Sequence, residues 1–527
     1  VLPLWGGYAF WPWIFYDEKV KEHPVTPEFI YRDYHNNDIP ETYNFEPRYK
    51  PEDVLYACCE MSGGMTVFYN YRFQLPYESI SAMANVKLAG GCNFVGYYMY
   101  HGGTNPKGKI TQYLNENSTP KLSYDYQAAI GEFGQVRQSY HELKKIHYLL
   151  KNESEKFALL KTILPSGADQ IDPTDQTTLR YALRLKEDSG YLFINNYQDH
   201  LSMPEKNDIK IRIELENETL LVPQNEPLSI STGENLIFPI NFHMKQALLK
   251  YATAQLITNF EEDHVTTYVF FKPKNMEPEF CFKKESITIV SSNIEINESE
   301  DYLSIKLNRK YVDIYDSENN LLRIILLDNA ESNHIWEFEF RGKKHVWISD
   351  GVPLISDDEI NFEVEEERLF IQPLTRNEFF LQQEKLLQIT EGEYPSYLFD
   401  SDINRDLILN TQRMNNQSML VKIPFDVLET SKEVILCVEY VGDVGYAFIN
   451  GELIHDNFNN NGTWEIGLSN YKDLLKYYPL YIKVTPNKEN RKVKSDSPMA
   501  TRSEKLTVEE DLIQKLSIKV IKEVRVI

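Results

Sequence analysis

The sequence has few basic residues for its acidic ones, no Cys-x-x-Cys spacing, and no apolar run near the ~20 residues a bilayer-spanning helix needs. Each shortage removes a class of function. Lys and Arg number 55 against 79 Asp and Glu, a net charge of −24. Such a field repels phosphate backbones and anionic lipid surfaces, which sets aside nucleic acid and membrane as partners. The five cysteines give neither a disulfide framework nor a zinc spacing, and Cys58 and Cys59 fall on alternate sides of one predicted strand. Buried free thiols are expected. An initiator Met and a basic-then-apolar leader are also missing from the opening VLPLWGGYAFWPW. The domain is therefore expected to start upstream, and the compartment is unknown, with an extracellular, periplasmic or lysosome-like one favoured. Six Asn-x-Ser/Thr sequons are what an Asn-rich chain produces by chance.

What is present is length, aromatic content and two kinds of pattern. A chain of 527 residues, 42% hydrophobic and 25% charged, predicts three or four domains with substantial cores. Aromatics at 13%, including 34 Tyr, suit strands and pockets that hold flat apolar faces. The first ~150 residues read as α/β units. VLYACCE predicts a strand; PYESISAMANVKLAGG predicts a helix, with Ile80, Ala84 and Leu88 repeating every four residues; CNFVGYYMY predicts a second, parallel strand. A further helix is expected over QVRQSYHELKKIHYLLK. Beyond about residue 155, short alternating strands between Asp/Asn/Gly/Pro turns predict all-β sandwich or jelly-roll domains. Asn450-Gly451 marks a two-residue hairpin, and Asn487 to Lys505 a polar loop before a final strand.

Glu60 ends an apolar strand and is followed by Gly63 and Gly64. With parallel neighbours, Glu60 and the loop HGGTN (101–105) lie at strand C-terminal ends, on one face of the sheet. In α/β sheets and (β/α)₈ barrels that face holds the ligand. A rigid, partly dehydrated carboxylate there suits a nucleophile or general base; an ion pair with Arg or a turn cap is the structural alternative. His101 reads as a base or a structural residue, and Trp5, Trp11 and Trp13 as sugar-stacking or core residues.

CCEMSGGMTVFYNYR, AGGCNFVGYYMYHGGTNPKGK and KLSYDYQAAIGEFGQVRQSYHELKKIH, in this order, closely resemble the glycoside hydrolase family 35 β-galactosidases over about residues 1–150. VEYVGDVGYAFINGELIHDNFNNNGTWEIGL resembles the galactose-binding-like jelly roll near the C-terminus of such enzymes. The resemblance implies a multi-domain α/β plus all-β fold. Residues 1–152 would be the C-terminal part of a (β/α)₈ barrel, about strands six to eight, and 153–275 a β-rich domain. A β-sandwich-like domain would occupy 276–400 and a jelly roll 401–527. It also implies retaining removal of terminal β-linked galactose, with Glu60 as nucleophile and Tyr98 and Tyr126 lining the galactose pocket. His101 and Asn105 receive no role. No metal or organic cofactor is needed, because both catalytic functions are carboxylates.

The family's acid/base Glu, in an Asn-Glu pair on the fourth strand, has no counterpart here. LNENS (114–118) follows the eighth strand and TRNEFF (375–380) falls in the β-rich half. This chain alone is accordingly expected to lack appreciable glycosidase activity, with an N-terminal half-barrel supplied by missing upstream sequence or a second polypeptide. Two rival readings stay open: a non-catalytic carbohydrate-binding protein, and a related exo-β-glycosidase of different sugar specificity.

Overall fold

The structure, a computed structural model, describes residues 2–5, 25, 27–33, 55–69, 72, 74–109, 115–116, 119–291, 294–307, 310–376, 386–403, 407–487 and 511–527. Trp11, Trp13, most of TRNEFF and nearly all of the 487–505 stretch lie outside them. The architecture is mostly sheet with few helices: a small parallel sheet first, then several sheet domains.

Strands β1 (Leu2–Trp5), β2 (Tyr56–Ser62) and β3 (Phe94–Tyr98) form a three-stranded parallel sheet in that order. The crossover from β2 to β3 carries helix α1 (Glu78–Ala89). Its expected apolar face is only part of the outcome, because every residue from Ser79 to Ala89 is buried. Polar members of such a helix need partners. Asn85 donates to the Leu236 carbonyl at 3.0 Å and accepts from Tyr31 at 2.6 Å; Lys87 pairs with Glu28 at 3.0 Å. Helix α2 (Gln138–Ala158) packs beside α1.

Both helices back onto a two-sheet sandwich. Its eight-stranded sheet has Lys161–Ile163 and Glu295–Glu298 as its edge strands, and its five-stranded partner holds Gln255–Glu262 and Leu321–Leu327. Arg184, 1% exposed, reaches from this sandwich to the C-terminal ends of both helices. It donates to the carbonyls of Leu88 (2.9 Å), Cys92 (3.3 Å), Phe157 (3.3 Å) and Leu160 (3.0 Å). A cation there satisfies orphan carbonyls and the negative end of each helix dipole.

Two further five-stranded sheets face each other in the C-terminal region. The hairpin was legible: Val444–Ile449 pairs with Glu452–Phe458, and Asn450 and Gly451 have φ of 49° and 81°. The last strand, Ile513–Arg525, bonds to Glu433–Tyr440 on one side and Ile360–Val364 on the other, so that Val352–Ile355 and Ile360–Val364 complete one of these two sheets. Cys58, Cys92, Cys281 and Cys437 are all buried, and Cys92, Cys281 and Cys437 are free thiols, as composition predicted. Among the described residues no helix is long and apolar enough to cross a membrane.

Candidate active site

Glu60 stands in a bulge of β2. Cys58 faces Leu4 and Val95 on its two neighbours; Glu60 faces Trp5, and Met61 faces Tyr97. Cys59 is therefore an extra residue, and a bulge of this kind bends a strand and re-aims the side chain beside it. Glu60 is half-buried.

The two glycines after it are required by close backbone contact. A Cβ on Gly63 would lie 2.6 Å from the Met99 carbonyl oxygen, and one on Gly64 would lie 2.4 Å from the Tyr126 carbonyl oxygen. The approach is used: Gly63 N–H donates to the Tyr98 carbonyl at 2.7 Å, and Met65 N–H to the Tyr126 carbonyl at 2.6 Å. The strand end bearing Glu60 is thus bonded to the backbones of both tyrosines. Their side chains meet as well. Tyr98 and Tyr126 pack edge-to-face at 5.6 Å, Tyr126 sits 4.7 Å from Tyr124, and the Tyr98 and Tyr124 hydroxyls are 2.9 Å apart. Tyr126 is buried with a φ of 62°, a backbone that a tyrosine adopts only when surroundings hold it.

Those surroundings are the loop 122–137. Asp125 accepts from Arg137 (2.9 Å), from Glu132 N–H (2.8 Å) and from Gln127 N–H (3.1 Å). Burial pushes its carboxyl up, but Arg137 and these bonds more than offset it, so the group sits below the usual carboxylate range. HGGTN braces this loop. Gly103–Thr104 pairs with Ser123–Tyr124, Asn105 donates to the carbonyl of Lys121 at 2.9 Å, and Gly102 is glycine because Asp125 O would lie 2.5 Å from its Cβ. His101, an exposed residue, bonds to the Gly102 carbonyl.

On the outer side of the loop lies a cavity of about 560 Å³, walled by Tyr126, Asp125 and Lys121 and, from the C-terminal region, by Asn457, Thr463 and Glu465. Among the described residues its wall includes neither Glu60 nor Tyr98. Burial, resisted by the carboxylates of Asp456, Asp125 and Glu132, holds the Lys121 amine below its ordinary range. Behind β3, burial raises Tyr97 and Tyr100, and His147, 2.9 Å from the Tyr97 hydroxyl, is lowered to about 4 and stays neutral. Among the described residues no group of three or more His, Cys, Asp or Glu is placed to hold a metal ion.

Sequence reasoning singled out Glu60, Tyr98 and Tyr126; it passed over Tyr124, Glu132, His455 and Asp456. Tyr124 sits inside the quoted SYDY motif, and alternation along its short strand was the signal available. His455 and Asp456 lie in the quoted jelly-roll stretch, but no local pattern ties them to a loop over 300 residues away.

Residues 11–150 match the family model described as Glycosyl hydrolases family 35, and residues 168–334 match Beta-galactosidase, domain 2. Relatives include Probable beta-galactosidase B of Aspergillus fumigatus, 25% identical over 247 residues (45% of this chain, 23% of the relative). The protein of that name from Neosartorya fischeri is 24% identical over 247 residues (45% and 23%), and that from Emericella nidulans 22% over 287 (53% and 26%). The matched part of the chain spans about a quarter of the length of these curated relatives. On these matches, residues 11–150 are a segment of the glycosyl hydrolase family 35 type, followed over residues 168–334 by one of the β-galactosidase domain 2 type.

Proposed function

We propose that this chain is part of a retaining exo-β-galactosidase in which Glu60 is the nucleophile and Tyr98 and Tyr126 line the galactose pocket. In this reading β1, β2 and β3 are strands six to eight of a (β/α)₈ barrel whose C-terminal rim carries the site. The observation that supports it most is the pair of backbone bonds from Gly63 and Met65 to the tyrosine carbonyls, which fixes the Glu60 strand end against the aromatic cluster. Glu60 attacks the anomeric carbon as the glycosidic bond breaks, giving a covalent galactosyl ester that water then cleaves. The substrate class is a terminal β-linked galactoside on an oligosaccharide or glycan.

A second carboxyl group, about 5–5.5 Å from the nucleophile in retaining enzymes, protonates the leaving oxygen and later activates water. We place it outside these 527 residues. Of the two Asn-Glu pairs here, Asn115–Glu116 forms a two-residue strand paired with Thr119–Pro120, and the other lies in the β-rich half. Activity of this chain on unactivated galactosides is therefore expected to be negligible. That lack is also what favours the second reading, a galactose-binding protein without turnover.

A probe whose leaving group needs no proton separates the two. 2-Deoxy-2-fluoro-β-galactosyl fluoride should add one fluorogalactosyl group per chain by intact mass, and Glu60→Gln should abolish the addition. Saturable galactose binding with no covalent addition would favour the binder; unchanged labelling of Glu60→Gln would overturn the assignment.

A further inference from the structure

One buried carboxylate near the site, to which family resemblance assigns nothing, links three separate parts of the chain. Glu132, whose side chain is 1% exposed, accepts from Ser123 Oγ at 2.7 Å, from Thr104 Oγ1, and from His455 Nε2 at 3.1 Å. One carboxylate therefore joins the HGGT loop, the SYDY strand and the C-terminal jelly roll. The His455 ring, also buried, has its protonation fixed by its other neighbour. Trp464 Nε1 lies 2.8 Å from His455 Nδ1, and an indole N–H only donates, so Nδ1 is bare and the proton is on Nε2, aimed at Glu132. The indole and imidazole planes stack at 23°, which holds the ring's direction. The next residue acts on the same strand: Asp456 accepts from the backbone N–H groups of Leu122 at 2.8 Å and Ser123 at 3.1 Å.

From these contacts we infer that His455 is a positioning residue for the sugar pocket, acting through Glu132 on the Ser123–Tyr124 strand and the turn after it that carries Tyr126. The inference rests on the function proposed above. Removing the His455 donor leaves a buried carboxylate one hydrogen bond short and a buried indole N–H with no acceptor, both costly in a dry site. The least expensive relief is movement of the Ser123–Tyr126 segment, which displaces the Tyr124 and Tyr126 phenols more than Glu60, five residues before the Met65 bond to Tyr126. Sugar binding is then impaired more than the chemical step.

The test uses the whole chain and the fluorogalactosyl fluoride probe, measuring the half-saturating concentration and the limiting rate of labelling separately. His455→Phe keeps the ring and is expected to raise the half-saturating concentration on the order of tenfold or more, with a far smaller change in limiting rate. His455→Gln, whose amide still donates toward Glu132, should recover most of the loss. Ser123→Ala, at the other end of the relay, should shift the same quantity and combine non-additively with His455→Phe; it also serves if His455→Phe does not fold. Glu452→Ala breaks an exposed ion pair with Lys107 (2.8 Å) in the same jelly roll and should change neither quantity. Normal labelling by His455→Phe, or equal loss in His455→Gln, would overturn the inference while leaving the function intact. A parent chain that takes up no label would overturn the functional reading, and this inference with it.

Discussion

The N-terminal segment makes two very different contacts with the sheets that follow. Against the sandwich, α1 and α2 share one continuous apolar core, and the polar groups at that contact sit among backbone carbonyls: Arg184 on four of them, Asn85 on Leu236. Against the jelly roll, two small apolar clusters, Val67 with Val444 and Phe458 and Phe133 with Ile435, Cys437 and Ile521, stand beside a larger set of charges and hydrogen bonds. Arg72, 1% exposed, pairs with Asp443 at 2.9 Å, donates to the Asp443 and Asn459 carbonyls and lies over the Phe458 ring at 4.9 Å; Gln135 donates to Glu465 at 2.8 Å. The first contact supplies burial, which is non-directional and proportional to area. The second supplies direction. Buried polar groups tolerate few arrangements, so the jelly roll fixes where the loops around Tyr126 stand while adding little apolar area.

The sharpest way to break this contrast is Arg72→Ala. It takes the cation from the Asp443 carboxylate, 3% exposed, which keeps the Tyr69 hydroxyl at 3.0 Å, and should cost about 3 kcal/mol by denaturant unfolding. It should also loosen the labelling site, whereas an effect near zero would mean the polar contact is incidental. A smaller effect tests the other side. Asp199 sits beside α1, accepting from Tyr197 at 2.6 Å and Ser79 at 2.9 Å. Burial, partly countered by those hydroxyls, raises its carboxyl to about 7 from an ordinary 3.8. The folded chain thus keeps a proton that the unfolded chain releases near pH 4, so this stabilising contribution is present at low pH and fades as pH rises through 7. Between pH 7.5 and 5.0 the group should contribute a gain on the order of 2 kcal/mol. Asp199→Asn should remove that part of the pH dependence, and an unchanged pH profile would show that Asp199 is ionised in the fold.

How much was legible follows the same division. Strands β2 and β3, helix α1 and the Asn450-Gly451 turn are local patterns, and each stands where periodicity and turn chemistry put it; Glu60, expected to end its strand, instead sits in a bulge two residues before the strand's end at Ser62. The all-round burial of α1 was not legible, because its extra faces are covered by sheet strands over 100 residues away, including Ser189–Asn195 and Asn235–Met244. Nor was the Cys59 bulge, which depends on the register of both neighbouring strands. The tyrosines could be named from motifs. The relay from His455 through Glu132 to Ser123 could not, since nothing local in either short strand or in the Glu132 loop signals a polar partner over 300 residues away.

The central claim is that Glu60 and the two tyrosines share one sugar. A crystal structure of the chain after reaction with 2-deoxy-2-fluoro-β-galactosyl fluoride tests it most directly. The expected result is an ester bond from the Glu60 carboxylate to the anomeric carbon, with Tyr98 and Tyr126 against the same ring. An ester on another carboxylate, or a Glu60 adduct whose sugar touches neither phenol, would contradict it.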